Sequence, residues 1–332
     1  MNADTMSQHL ESFPSYSDLQ SRDDGPKGSS WGLFGKRDQV GTLNLQDQDT
    51  IRHAASLVRR GQTFNLDYEL NAFAPPVSPF RRNFKHIMGC RHDGLIRDDS
   101  VNDLFLQGSS HIDGLRHHRH KIHGFYCGSG DEEIEVDSPA LGVQHVASRG
   151  IVGRGVLLDV QRYRAAQGRP IDYGIGDPIS VADLQGAAQA QRLEFRRGDV
   201  LLLHTGWTHH FLNVIDDKER ARLIAGRTFC GVEQSYEMLA WLWDNRFSVV
   251  ASDTVAVEVM PTVASSPFVE NVRGMMHPDL IALLGICLGE LWNLNDLADD
   301  CATDGVYDCM VVAKPLNLRG GVGSPSNALA LK

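Results

Sequence analysis

The stretch GSSHIDGLRHHRHKIHG, Gly108 to Gly124, holds His111, His117, His118, His120 and His123, five of the chain's fourteen histidines within thirteen residues. Asp113 follows His111 by two positions. Imidazole and carboxylate crowded among glycines and serines point to a metal site or an acid–base site. Alternate side chains of an extended segment share a face, so His111 and Asp113 converge. Such a pair suits Zn²⁺, Mn²⁺ or Fe²⁺. His117 comes four residues after Asp113, one helical turn if the chain coils there, and reaches the same pocket. Arg116, Arg119, Lys121, His118, His120 and His123 read as a solvated polar loop.

A second cluster lies at His277 to Glu290, HPDLIALLGICLGE. On one straight helix these two residues would stand about 20 Å apart and could not share a ligand. The residue types argue for a reversal instead. Pro278 and Asp279 suit a helix start, and Gly285 suits its end. Ile286 to Leu288 then reads as a short strand running back. A helix of about eight residues spans about 12 Å. A returning strand of about four spans about 13 Å, which brings Glu290 back beside His277.

The chain has 332 residues, 42% of them hydrophobic and 22% charged, an ordinary composition for a large single domain. Its net charge of −10 argues against nucleic acid or an anionic membrane as partner. The start, MNADTMSQHL, shows no secretory signal pattern, and Leu280 to Leu288 is too short to span a bilayer. Cytoplasmic placement follows as the default expectation. None of the six cysteines forms a C-x-x-C pair, so buried free thiols are expected rather than disulfides or a zinc ribbon.

Residues 1–28 are polar and read as a mobile tail or an arm packed on a partner; residues 29–332 form the single domain. Asp49 to Arg60 has helical periodicity and Thr63 to Leu70 alternates as a strand. Leu104 to Gln107 reads as a short strand leading into the histidine segment. Helices are expected from Ser138 to about Ser148, from the Ser180/Asp183 capping box to about Leu193, and over 216–225 and 233–243. Gly155 to Asp159, Val200 to Thr205 and Phe247 to Ser252 read as buried strands. The mixture is α/β, and Asp159, His204 and Asp253 stand at strand ends, where such folds tend to place sites.

The run Gln107-Gly-Ser-Ser-His111-Ile-Asp113-Gly-Leu-Arg-His117 resembles the hallmark H-x-G-T-H-x-D-x-P-x-H of the cyclase family that includes bacterial kynurenine formamidase and isatin hydrolase. VGTLN (40–44), GRGVLLDV (153–160), GDVLLLHTGW (198–207), ASDTVAVE (251–258), GELWNLNDLA (289–298) and KPLNLRGGVGSPSNALAL (314–331) are similar to its long-chain branch. The resemblance implies a swivelling β/β/α-type fold with a mixed β core and a homodimer. It implies that His111, Asp113, His277 and Glu290 are metal ligands and that His117 is the catalytic histidine. Gln107 stands where the family has its first metal histidine, which leaves one ion or two open, with Gln107 itself a candidate ligand.

The expectation is a hydrolase that uses one or two divalent ions, Zn or Mn, to cleave a small cyclic or aromatic amide or ester. Trp207, Phe125, Tyr126 and Trp31 are candidates for the substrate wall, with the core as their alternative place. Two rival readings use the same residues. One is a polyketide-type cyclase or dehydratase. The other is a non-haem iron oxygenase, since His111, Asp113 and His277 formally make a two-histidine, one-carboxylate set, although His277 lies 164 residues beyond Asp113.

Overall fold

The computed structural model describes residues 13–332. Its framework is one nine-stranded sheet. The strands in chain order are β1 (Thr63–Asn65), β2 (Lys85–Arg91), β3 (Ile96–Asn102), β4 (His111–Asp113), β5 (Ile151–Asp159), β6 (Pro178–Ile179), β7 (Val200–His204), β8 (Gly231–Val232), β9 (Val249–Ser252), β10 (Cys287–Glu290), β11 (Asp308–Ala313), β12 (Gly323–Pro325) and β13 (Ala328–Leu331). Across the large sheet the order is β1-β13-β11-β5-β7-β9-β10-β4-β12. β5, β7, β9 and β10 are parallel, and the strands outside them pair antiparallel. β12 and β13 follow each other closely in sequence yet stand at one end and next to the other end of that order, so the sheet curls on itself. The α/β fold with a mixed β core is as expected.

The parallel centre explains its own sequence. Strands covered on both faces read as unbroken apolar runs. Val200 to His204 is buried at every position, as is Val249 to Ser252. Helix Gln48–Ala55 packs on β5, and helix Val160–Ala166 packs on helix Val181–Ala190. Ser180 and Asp183 form the foreseen capping box. Leu104 to Gln107 forms no strand; the strand of this region is β4 itself. An antiparallel hairpin, β2–β3, exposed at every strand position, was not foreseen. Its signal was the dipeptide Asp93-Gly94, a turn former, flanked by no alternating apolar pattern.

The reading of residues 1–28 as a tail needs correction for the part described. Tyr16–Ser21 is a helix whose Ser15 cap and Asp18 make a reciprocal capping box. Tyr16 and Leu19 are buried. Trp243 donates its indole N–H to the Pro14 carbonyl at 2.9 Å, and Phe13 stacks on Trp243 at 5.0 Å. The segment is bound to its own chain because it supplies apolar cover to helix Tyr236–Asp244. Residues 1–12 lie outside the described residues. All six cysteines are free thiols, and Cys230, Cys287, Cys301 and Cys309 are buried as expected.

Asp159, His204 and Asp253 meet at the ends of β5, β7 and β9. His204 Nδ1 lies 3.0 Å from Asp159 Oδ1, and its Nε2 lies 2.8 Å from Asn295 Oδ1 and 4.0 Å from Asp253 Oδ2. Asp253 accepts the backbone N–H groups of Thr205 and Gly206 at 2.8 and 2.7 Å. The cluster is sealed, so it ties strands together rather than facing a ligand. Burial alone would depress the His204 pKa; Asp159 and Asp253 outweigh it and raise the pKa above the usual 6.5. Burial likewise opposes the Asp159 carboxylate, but bonds from His204 and Arg162 hold its pKa below 3.8. The Asp159 contribution is therefore present above about pH 4 and lost in acid. The His204 contribution is whole below pH 6.5 and fades as pH rises through its raised folded value. His204→Ala should cost about 3–5 kcal/mol in urea unfolding, because it strands buried carboxylates. The gap between variant and wild type should be wider at pH 6 than at pH 9.

Candidate metal and acid–base site

β4 lies between β10 and β12, and the register decides the site. His111 is opposite Glu290 on β10 and Pro325 on β12; Asp113 is opposite Leu288 and Gly323. Residues directly opposed across strands share a face. His111, Asp113 and Glu290 therefore project together, while Ile112 points into the apolar core. His111 and Asp113 are completely buried and Glu290 nearly so.

His111 Nδ1 lies 2.7 Å from the Ser109 carbonyl. A carbonyl only accepts, so Nδ1 carries the proton and Nε2 presents a lone pair. That Nε2 is sealed from solvent without a hydrogen-bond partner, and so is Asp113 Oδ2. Nε2 lies 3.3 Å from Glu290 Oε2 and 3.7 Å from Asp113 Oδ1. Donors about 2.1 Å from a tetrahedral ion stand roughly 3.4 Å from one another. The three residues fit a divalent cation, and among the described residues they are the one His/Cys/Asp/Glu group that does.

The return from His277 to Glu290 is built as the sequence analysis anticipates, with one difference. The helical part, Asp279–Leu283, is a wide turn in which Leu284 N–H bonds the Asp279 carbonyl at 2.9 Å, five residues back. Gly285 then takes φ +71° and its carbonyl accepts from Thr42 N–H at 2.9 Å. A side chain at Gly41 would collide with that carbonyl at 1.8 Å, so the VGTLN segment needs glycine there.

His277 Nε2 consequently reaches Glu290 Oε1 at 3.0 Å. Its Nδ1 bonds Glu258 Oε1, which also accepts the His277 backbone N–H at 2.9 Å. With a carboxylate on each nitrogen, both of them donate. Burial would lower the pKa, but Glu258 and Glu290 raise it well above the ordinary value and hold an imidazolium. Burial opposes the charge on Glu290, yet bonds to histidine keep its pKa far below the usual range. His277 stands outside the group whose atoms close on a single ion, so the ligand place inferred for it from resemblance is corrected for that ion: here it bonds Glu290 through Oε1 and leaves Oε2 facing His111. The His111–Asp113–His277 set of the oxygenase reading is not assembled, for the same reason. Glu258, which the sequence analysis missed, stands at the end of ASDTVAVE with only its charge to mark it.

Gln107 is also corrected as a ligand. Its amide nitrogen, not its oxygen, bonds Asp113 Oδ1 and lies 3.1 Å from His117 Nδ1. A Cβ at position 323 would press on the Gln107 side chain at 3.0 Å, so Gly323 makes room for it. Gln107 therefore aligns two active groups. His117 N–H bonds the Gly114 carbonyl at 2.9 Å, the tight turn that brings its ring back. His117 Nε2 lies 3.6 Å from Asp113 Oδ2, and its side chain is 23% exposed, open to a ligand. Burial depresses its pKa and Asp113 partly restores it, so it is a neutral base.

The Cyclase family model matches residues 62–259, which contain His111, Asp113, His117 and Glu258. The chain belongs to the cyclase family. A crystal structure of a novel cyclase is similar over 92% of this chain and 99% of its own, at 30% identity and TM-score 0.80. Isatin hydrolase A from Labrenzia aggregata, bound to benzyl benzoate, covers 85% of this chain and 97% of itself at 15% identity and TM-score 0.58. An isatin hydrolase bound to the product analogue thioisatinate covers 86% and 99% at 18% identity and TM-score 0.53. These two share the cyclase fold. A search of curated proteins gave no match.

The remaining residues of this cyclase-family chain sort by burial. Tyr126 and Phe125 lie in the core, with Tyr126 against Gly285. Trp207 is also core: its ring stacks on Phe211 at 4.8 Å. These three line no open surface, so their assignment to the substrate wall is corrected. Trp31 is half-buried, donates to the Ala282 carbonyl at 2.7 Å and meets His123 edge-on at 6.4 Å, at the rim of the histidine loop. Arg116 is no surface charge. It is buried and clamps the carbonyls of Ala140, Ser138 and Gly320. His118, too, lies inside, against His117 and His277.

His111, Asp113 and Glu290 bring together one imidazole nitrogen and two carboxylates, a donor set suited to a divalent ion. Zn²⁺ or Mn²⁺ at about 100 times Kd should stabilise the metal-free protein by about 2.7 kcal/mol. Thermal unfolding should show that gain in the wild type and not in Asp113→Asn or Glu290→Gln.

Proposed function

We propose that this protein is a metal-dependent hydrolase of small cyclic or aromatic amides or esters, of the lactone, lactam or formamide type. The observation that carries this reading is the convergence of the sealed, unpartnered His111 Nε2 on Glu290 Oε2 at 3.3 Å and on Asp113 Oδ1 at 3.7 Å, with the other Asp113 oxygen, Oδ2, also sealed and unpartnered. His111, Asp113 and Glu290 would hold one divalent ion, Zn or Mn. Such an ion, when bound, polarises a carbonyl and lowers the pKa of water toward about 7.

The chain's own residues do the rest. His117, neutral and with Nε2 within 3.6 Å of Asp113, has its lone pair at Nδ1, where it takes the proton of the attacking water in exchange for the Gln107 bond and returns it to the leaving nitrogen or oxygen. Gln107 keeps the ring turned through Nδ1. His277 and Glu258 act as a positioning pair for Glu290, and the Val257 N–H fixes the same Oε1 at 3.1 Å. Two proteins of this fold are isatin hydrolases, and opening of a strained ring amide or ester is the reaction class we extend to this chain. We further infer a cytoplasmic homodimer acting on a small molecule, with no nucleic-acid or membrane partner.

Purified protein assayed on lactones, lactams and aryl formamides should release ring-opened or deformylated acid, with one equivalent of metal bound. His117→Ala should lower kcat by about 10²–10⁴ with metal content unchanged. Full activity in that variant would remove His117 from the role. Products carrying no added water would favour the cyclase or dehydratase reading.

A further inference from the structure

Glu258 is completely buried, and its two oxygens are engaged differently. Oε1 takes the His277 ring at Nδ1 and the His277 backbone N–H. Oε2 accepts the Met276 N–H at 2.8 Å and the Gln234 amide, Nε2, also at 2.8 Å. Among the described residues Gln234 is the one side chain that bonds Oε2, and it is buried as deeply as the carboxylate. Its other partners settle which way the amide faces. Gln234 Oε1 accepts the Val263 N–H at 3.0 Å, and Nε2 spends its second hydrogen on the Val259 carbonyl at 2.8 Å. A flipped amide would set oxygen against the Glu258 carboxylate and the Val259 carbonyl, and N–H groups against the Val263 N–H. The backbone carries Gln234 to this place. Val259 N–H bonds the Val232 carbonyl at 2.9 Å, and a Cβ at Gly231 would meet the Glu258 carbonyl carbon at 2.5 Å. Gly231-Val-Glu-Gln234 thus lies tight along the Glu258 segment.

We infer that Gln234 is a positioning residue of the ion site, which acts through Glu258 and His277 on the Glu290 carboxylate. The inference rests on the metal-dependent hydrolase reading and adds a residue that reading leaves unused. The relay has three contacts: Gln234 Nε2 to Glu258 Oε2, Glu258 Oε1 to His277 Nδ1, and His277 Nε2 to Glu290 Oε1 at 3.0 Å. A carboxylate is planar, and rotation about its last bond is soft, so a donor fixed on Oε2 sets the direction of Oε1. With that donor gone, Glu258 turns, the His277 ring loses its alignment, and Glu290 Oε2 no longer stands 3.3 Å from His111 Nε2. Outer hydrogen bonds that orient metal ligands change metal affinity by about 10–100-fold. Gln234 lies at the far end of the relay, so the lower figure applies.

The test is a double-variant cycle on metal binding by the intact, metal-free protein, with Zn²⁺ titrated calorimetrically. Gln234→Leu should weaken Zn²⁺ binding about tenfold, and Glu258→Gln should weaken it as well. Combining the two should cost little beyond Glu258→Gln alone, because the relay is already cut. Gln234→Met supplies the same contrast if leucine unfolds the protein. A merely structural role for Gln234 would lower the melting temperature and leave the Zn²⁺ Kd unchanged, and that result overturns the inference. Losses that multiply in the double variant overturn it too, since Gln234 would then act by another route. Both results leave the hydrolase reading standing. Wild-type protein that binds neither Zn²⁺ nor Mn²⁺ overturns that reading and the inference with it.

Discussion

Everything at the site follows from one pairing, β4 against β10. Three residues of a short strand, His111-Ile112-Asp113, are wedged between β10 and β12 with no freedom to slip. A shift of one residue would turn His111 and Asp113 into the apolar core and Ile112 into the site. Ile112 prevents that, because it is completely buried on the opposite face. Hydrophobic burial thus sets the direction in which two costly polar groups point.

The second determinant is charge. Carboxylates removed from water must be paired or must bind a cation. Glu290 meets the demand with one oxygen only: Oε1 takes the His277 imidazolium and the Val257 N–H, and Oε2 is left toward His111. Asp113 is divided in the same way, one oxygen held by the Gln107 amide and the other unpartnered. Each carboxylate is oriented by the protein through one atom and left deficient at the other. That division separates a site that binds from an ion-pair network that merely stabilises, as at His204, where no buried ring nitrogen lacks a partner.

Much of this was legible in residue types and spacing. The His-x-Asp alternation carries its own geometry, and the reversal between His277 and Glu290 could be read from Pro278, Gly285 and the short apolar run. What could not be read is which atom of a side chain faces which neighbour. Gln107 and His277 stand where the sequence places them, and the structure adds which atom of each meets which neighbour. An amide can present oxygen or nitrogen, and a histidine can ligate or donate; the choice depends on partners distant in sequence, here Glu258. The aromatics failed differently. Trp207 stands just past a strand end and Tyr126 just past the histidine loop, but only the packing of Phe211 and Gly285 against them reveals that they are core.

Gln107 also bears on how many ions such a site holds. A histidine at this position would present a lone pair toward Asp113 and so extend the donor set. The glutamine amide nitrogen instead donates to Asp113 and spans to His117. A donor N–H directed at a carboxylate occupies the oxygen that would otherwise bridge to a second cation, and its positive end repels one. The same group fixes the His117 ring from Nδ1, leaving Nε2 on the Asp113 side. The replacement therefore exchanges a metal-binding lone pair for a bond that holds His117, and the one-ion site proposed for His111, Asp113 and Glu290 rests on that exchange.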